Sequence, residues 1–245
     1  MEKKKTEPMS FLDHLEELRF RIIKCLASIL IFSIAAYIFS DQIYTILQIP
    51  LYKAVPDIKL HYFKVTEGFT IRVKMSLLAG MIVSVPVILY QIWQFVVPGL
   101  YEREKRMVVP VVAAGSIFFL LGAIFCFFVV LPRAIAFLSN VAFEGLEPTW
   151  MIQEYFSFMM RMILAFGVAF ELPIVCFFLG QLGIINSKLM AKGRRYALVA
   201  IVILAAIITP PDVFSQVVLA LPVYLLYELS ILVVKLTGRK SRGMI

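Results

Sequence analysis

Hydrophobic positions along the chain fall into six long runs separated by short charged pieces. The runs cover roughly 22–39, 70–97, 107–138, 152–182, 196–209 and 213–234. A helix needs about 20 apolar residues to cross a bilayer, at about 1.5 Å each. The first four runs meet that length and predict membrane-spanning helices. The fifth, YALVAIVILAAIIT, offers 14 residues before Pro210 and Pro211 stop it. The sixth is longer but carries Gln216, Pro222 and Glu228. The expectation is that these last two helices are short and form a hairpin that barely crosses, thinning the bilayer or leaving a wet hollow beside it. A proline recurs near the middle of spans two, four and six (VPVILYQ, LPIVCFF, LPVYLLY), which predicts kinked packing. Ahead of the first run, Phe11, Leu15, Leu18 and Ile22 recur at i, i+4, i+7 and i+11. This spacing makes 1–21 an amphipathic segment at the interface that leads into span one. The predicted fold is all-α: one polytopic membrane domain, 1–245, with six transmembrane helices.

Composition sharpens this picture. The chain is 61% hydrophobic and 16% charged, against about 25% charge in a soluble domain. The charged opening is too long for a cleavable signal peptide, so span one is expected to stay as an anchor. With the N-terminus inside, seventeen of the 24 basic residues fall on inner segments and six on outer ones, with Arg161 near a span end. That bias places both termini, including the 235–245 tail, in the cytoplasm. The net charge of +8 then reflects basic cytoplasmic loops, not nucleic-acid binding. Cys25, Cys126 and Cys176 match no metal spacing and read as packing residues. His14 and His61 lie outside the spans, and no GxSxG, HExxH or phosphate-binding loop is present. No enzyme, metal site or cofactor is expected. The outer segment 40–69 contains Pro50 and Pro56, and 139–153 contains Glu144 and Glu147. Both read as structural braces, the first as a cap over the span ends.

The acidic residues carry the candidate chemistry. On the inner side they cluster in FLDHLEELRFR, with Asp13, Glu16 and Glu17, and in PGLYEREKR, with Glu102 and Glu104. Glu17 and Arg21 stand at i, i+4, and a local salt bridge on a solvated face is the plain reading. Two acidic clusters on one membrane face could also hold two adjacent guanidinium groups, which pair with carboxylates in planar forks that lysine cannot form. Glu171 is the outlier, a carboxylate in the middle of span four with Pro173 two residues on. An ionised acid there costs about 2.5–3.5 kcal/mol on insertion scales. It is a protonated acid hydrogen-bonded within the bundle, a proton relay, or a polar dock for a neighbouring helix. The third reading is favoured, because a short hairpin next door would leave this depth partly wet, with Gln216 and Pro173 shaping the site. The competing functional reading is a proton-coupled small-solute transporter built on Glu171 and Glu228, although the spans show no inverted repeat.

Four segments carry a family resemblance: HLEELRFR at 14–21, VPVILYQIWQFVVPGLYEREKR at 85–106, AFGVAFELP at 165–173 and TPPDVFSQ at 209–216. In order, spacing and length they resemble the TatC family, the multi-spanning core subunit of the twin-arginine protein translocase. The resemblance runs from His14 to about Tyr227. It implies a concave, glove-like bundle of six helices in a bacterial-type inner membrane, and a receptor for signal peptides with paired arginines. Single-span TatA- and TatB-type subunits are its implied partners, folded proteins its cargo and the proton-motive force its drive. Self-association and contact with lipid are expected besides. Carried over, Glu17 and Glu104 match the signal-binding acids, with Phe95, Leu100, Arg19 and Arg21 in the same motifs. Glu171 matches the buried acid of span four, Asp212 and Gln216 match polar positions of the last hairpin, and Pro50 lies in the first outer loop.

Overall fold

A computed structural model describes residues 11–56, 58–96, 107–140, 149–209 and 213–241, with side chains described for 14–56, 58–96, 107–140, 149–209 and 213–237. The amphipathic segment and the first span form one helix, α1 (Phe11–Ile38). The outer segment folds into α2 (Ser40–Leu47), α3 (Ile49–Ala54) and the two-residue strand β1 (Leu60–His61). Span two is α4 (Glu67–Val96), and Pro86 lies inside it without ending it. Span three is α5 (Val108–Phe125), a wide π turn (Cys126–Val130) and α6 (Leu131–Asn140). The wider turn comes just before Pro132, which has no N–H to give the preceding turn. Strand β2 (Trp150–Met151) precedes span four, which is α7 (Ile152–Phe170) and α8 (Leu172–Gln181) broken at Glu171. After the inner helix α9 (Ser187–Lys192) come α10 (Arg194–Ile208) and α11 (Val213–Ser241).

Among the described residues, five helical stretches are long and apolar enough to cross a membrane: His14–Ile38, Glu67–Val96, Val108–Asn140, Ile152–Gln181 and Val213–Thr237. Helix α10 has 15 residues. At about 1.5 Å each it reaches about 22 Å, short of a hydrocarbon core of about 30 Å. The sixth run differs from expectation. It is not short, because Pro222 lies within α11 without ending it and the helix continues past Lys235 to Ser241. Only one arm of the hairpin is truncated.

The spans pack in a row that departs from chain order. Helix α1 lies on α4, α4 on α5, α5 on α7, α8 on α11, and α11 on α10, so span five joins the bundle mainly through span six. The apolar core of α1 has no buried residue, as befits the open end of a row. Gly80 of α4 lets α1 come into backbone contact. A Cβ at Gly80 would lie 2.6 Å from the Ser33 nitrogen and 2.7 Å from its Cα. This crossing sets where the inner end of α1 meets α4. The main core is concentrated in the outer half, around Leu51, Leu131, Ile135, Phe156, Met159 and Phe166, all essentially inaccessible. Smaller clusters hold the inner half: Val111, Ile174 and Phe178 in one, Met190, Ile231 and Val234 in the other.

Above the core, the outer segment forms a cap. Strands β1 and β2 pair in parallel, Leu60 with Trp150 and His61 with Met151, joining the two outer connections. Pro50 is fully buried at the start of α3, which packs on α6. Arg72 of α4 pairs with Asp41 of α2 at 2.8 Å, and the buried Glu67 accepts from the Phe63 N–H at 3.0 Å. The Tyr155 hydroxyl donates to the Leu47 carbonyl at 2.8 Å. Tyr155→Phe strands that carbonyl and is expected to cost about 1–2 kcal/mol, read as a thermal midpoint a few degrees lower in detergent.

Candidate functional site

The inner end of α1 is fixed to the inner end of α4 by a short chain of polar and aromatic contacts. Arg21 donates through Nε to Glu17 Oε1 at 3.0 Å, and its Nη2 contacts the same oxygen. Its Nη1 donates to Gln91 Oε1 of α4 at 3.3 Å. Two helical turns before Arg21, the His14 ring stacks on Phe95 with centroids 4.2 Å apart and planes at 19°. Glu17 therefore sits between two tethers to span two. Its Oε1 is held by Arg21; its Oε2 is buried, receives no hydrogen bond from the described residues and lies 3.8 Å from His14 Nδ1. A buried carboxylate oxygen without a donor is costly and would gain from a guanidinium. The i, i+4 salt bridge expected as the plain reading is thus present, and it occupies only one of the two oxygens. Arg19 does not join the cluster; it is exposed and lies over the Phe20 ring at 5.8 Å. Glu104, Leu100 and Glu102 lie outside the described residues. The described ends that flank them belong to this side of the bundle: Phe95 touches His14, while Trp93 and Met107 pack on the same cluster around Phe178.

Sequence reasoning missed Gln91 and left His14 as a generic interfacial residue. Gln91 stands in an apolar helical stretch and His14 beside more prominent charges, and only the α1–α4 register gives them a role.

The second site is Glu171. Pro173 has no N–H, so the helix breaks at Glu171, whose own N–H bonds to the Val168 carbonyl at 3.1 Å. The break swings the carboxylate over Gly115 of α5 and beside Leu89 of α4. A Cβ at Gly115 would lie 2.9 Å from Oε2, 3.3 Å from Oε1 and 2.9 Å from Leu89 Cδ1. Glycine is therefore the residue that leaves room for the acid. Oε1 is buried without a hydrogen-bond partner. Pro173 is buried beside it.

Gln216 is not part of this site. Its Nε2 donates to the Val202 carbonyl at 3.0 Å, clamping α11 to α10. Spans four and six run in the same direction, and Gly180 lies against Val234. That register sets Gln216 level with Met162, about 13 Å from the depth of Glu171 at about 1.5 Å per residue. Asp212 lies outside the described residues. Glu228 has a different role from the one a transporter would need. Arg194 donates to both its oxygens, at 2.7 and 2.9 Å, and Tyr224 donates at 3.1 Å. This ion pair closes the inner end of the short α10. By the same register it lies level with Ile174, about 4 Å deeper along the bundle than Glu171. The inner edge of the truncated span thus lies close to the depth of the carboxylate.

Comparison with known proteins decides the family. The profile described as Sec-independent protein translocase protein (TatC) matches residues 13–222. The chain belongs to the TatC family. It is 41% identical over 236 residues to the Sec-independent protein translocase protein TatC of Aquifex aeolicus, covering 96% of this chain and 98% of that one. It is 37% identical over 239 residues to the protein of that name from Escherichia coli K12, covering 97% and 92%. A crystal structure of the twin-arginine translocase receptor TatC superposes with a TM-score of 0.85 at 41% identity, covering 92% of this chain and all of that one. The bundle is therefore the six-helix TatC fold, in a multi-pass membrane protein of a protein-translocation system. The small-solute transporter is not favoured.

Proposed function

We propose that this chain is the signal-peptide receptor and core subunit of a translocase that exports folded proteins bearing a paired-arginine signal. It sits in the cytoplasmic membrane with both termini inside, and the proton-motive force drives export. The observation that carries the reading is Glu17, restrained on one oxygen by Arg21 and lacking a donor from the described residues on the other. An incoming guanidinium displaces His14 from Oε2 and supplies that donor, while Glu104 takes the second arginine. Each such charge-assisted bond contributes about 1.5–3 kcal/mol. Phe95, Leu100, Arg19 and Arg21 complete the surface. The surrounding basic loops repel other cationic peptides, so only a peptide that reaches both acids gains enough. The test is a direct competition. The membrane-embedded protein should retain a folded cargo with an Arg-Arg signal and lose it when the pair is Lys-Lys. Uptake of a radiolabelled small solute with no cargo retention would overturn the reading.

Glu171 then serves as a dock for a single-span TatA- or TatB-type subunit, which pairs a polar residue with the unpartnered Oε1. The Arg194–Glu228 pair, about 4 Å deeper along the bundle axis, brings water close to this depth. Hydrogen bonds between membrane helices are worth about 0.6–1.7 kcal/mol. Glu171→Ala is expected to weaken partner association three- to tenfold, measured as recovered stoichiometry, with the protein's thermal midpoint kept. Normal stoichiometry from the variant would refute the assignment.

A further inference from the structure

An open groove of about 650 Å³ runs between α7, α10 and α11. Down α7 its wall is Arg161, Ala165 and Val168, continued by Leu172 at the start of α8, and α10 faces it with Ala200 and Leu204. From Arg161 to Leu172 it is about 16 Å long at about 1.5 Å per residue. At its outer end it meets a second hollow of about 230 Å³, where Arg161 is joined by Trp150 and Glu154. Arg161 is the wall common to both. Its Nε donates to the Ser157 carbonyl at 3.2 Å, so the side chain climbs out of the apolar groove toward the upper hollow.

Depth gives these neighbours a meaning. The register of Gly180 on Val234 sets Arg161 level with residue 215, at the outer tip of the α10–α11 hairpin. The Arg194–Glu228 pair marks the inner end of that hairpin, about 20 Å away on the same scale. Arg161 thus stands at the outer boundary of a locally thin hydrocarbon layer, with the groove filling the layer beneath it.

We propose that this is a binding site for one outer-leaflet phospholipid with an ammonium headgroup. Its phosphate sits on the Arg161 guanidinium. The ammonium reaches Glu154 above it, and one acyl chain lies in the groove. Charge complementarity selects the occupant: the Arg161 cation lies below and the Glu154 carboxylate two helical turns above it, in the order of a phosphoethanolamine headgroup. A docked helix fits less well. A helix would bring no anion to Arg161 and leave the two charges unmatched. The site is independent of the peptide-receptor reading.

Native mass spectrometry of the full chain in mild detergent, titrated with phosphatidylethanolamine or phosphatidylglycerol, tests the proposal. One phosphatidylethanolamine should be retained per chain, about tenfold better than phosphatidylglycerol. Arg161→Gln should lower retention about tenfold, and Ala200→Trp, which fills the groove, should abolish it. Glu154→Gln should erase the headgroup preference while leaving retention. Thermal midpoints without lipid check that each variant is folded. Equal retention of the two lipids by the native chain would overturn the headgroup assignment. Unchanged retention in folded Arg161→Gln and Ala200→Trp would overturn the site, as would a single-span peptide that occupies the groove and displaces no lipid.

Discussion

Glu17→Lys will abolish binding of a paired-arginine signal peptide while leaving the protein inserted and folded. The wild-type carboxylate has one oxygen without a donor among the described residues, so a bound guanidinium gains a charge-assisted hydrogen bond with little rearrangement beyond His14. The lysine removes that acceptor and places a cation where the peptide brings another. Loss of the bond costs about 1.5–3 kcal/mol, and like-charge repulsion adds to it. The sum reaches a hundredfold or more in affinity at about 1.4 kcal/mol per tenfold. Glu104→Lys should act in the same direction by the same chemistry. Equilibrium binding of a labelled peptide to protein in nanodiscs reads the effect. Affinity within threefold of wild type for a folded Glu17→Lys protein would remove Glu17 from the site. Glu17→Gln separates shape from charge: it keeps an acceptor but not the anion, and should lose about tenfold.

The second large effect lies far from any peptide. Gly80→Ala adds a single methyl where α1 and α4 meet backbone to backbone. That methyl would lie 2.6 Å from the Ser33 nitrogen, and no side-chain rotation relieves a clash with main chain. The helices must part, at a cost of about 1–3 kcal/mol for an overpacked site. The inner end of α1 moves with them, so the Arg21–Gln91 and His14–Phe95 contacts loosen and Glu17 loses its placement. The expected outcome is a lower thermal midpoint together with weaker peptide binding. Gly68→Ala is the control, because its methyl would meet only Tyr62 Cε1 at an ordinary 3.9 Å. Equal behaviour of the two variants would mean that the α1–α4 crossing does not position the site.

Much of this architecture was legible because lipid imposes a simple code. Runs of about 20 apolar residues cannot do much besides span, and the four long ones emerged where expected. The short α10 followed from Pro210 and Pro211. What the pattern hid was neighbourhood. Apolar faces toward lipid and toward protein look alike in sequence, so nothing marked span five as joining the bundle mainly through span six. Gln216 illustrates the cost: polar and near the hairpin, it was grouped with Glu171, yet its amide is spent on the Val202 carbonyl about nine residues' rise away. The opposite happened with Gly115, an unremarkable residue in an apolar run until the carboxylate of another span lay over it. Pro222 misled through a rule taken from water, since α11 carries it without ending. Glu17 was read from charge clustering and motif resemblance. Its second oxygen, left without a donor, required coordinates.

The central claim is that two carboxylates from separate inner segments hold one pair of arginines. Site-directed photocrosslinking from positions 17 and 104 to a peptide labelled beside its Arg-Arg pair tests it most directly. The account predicts that both positions capture the same bound peptide, and that both crosslinks vanish when the pair is Lys-Lys. Capture from one position alone, or equal capture of the Lys-Lys peptide, would contradict it.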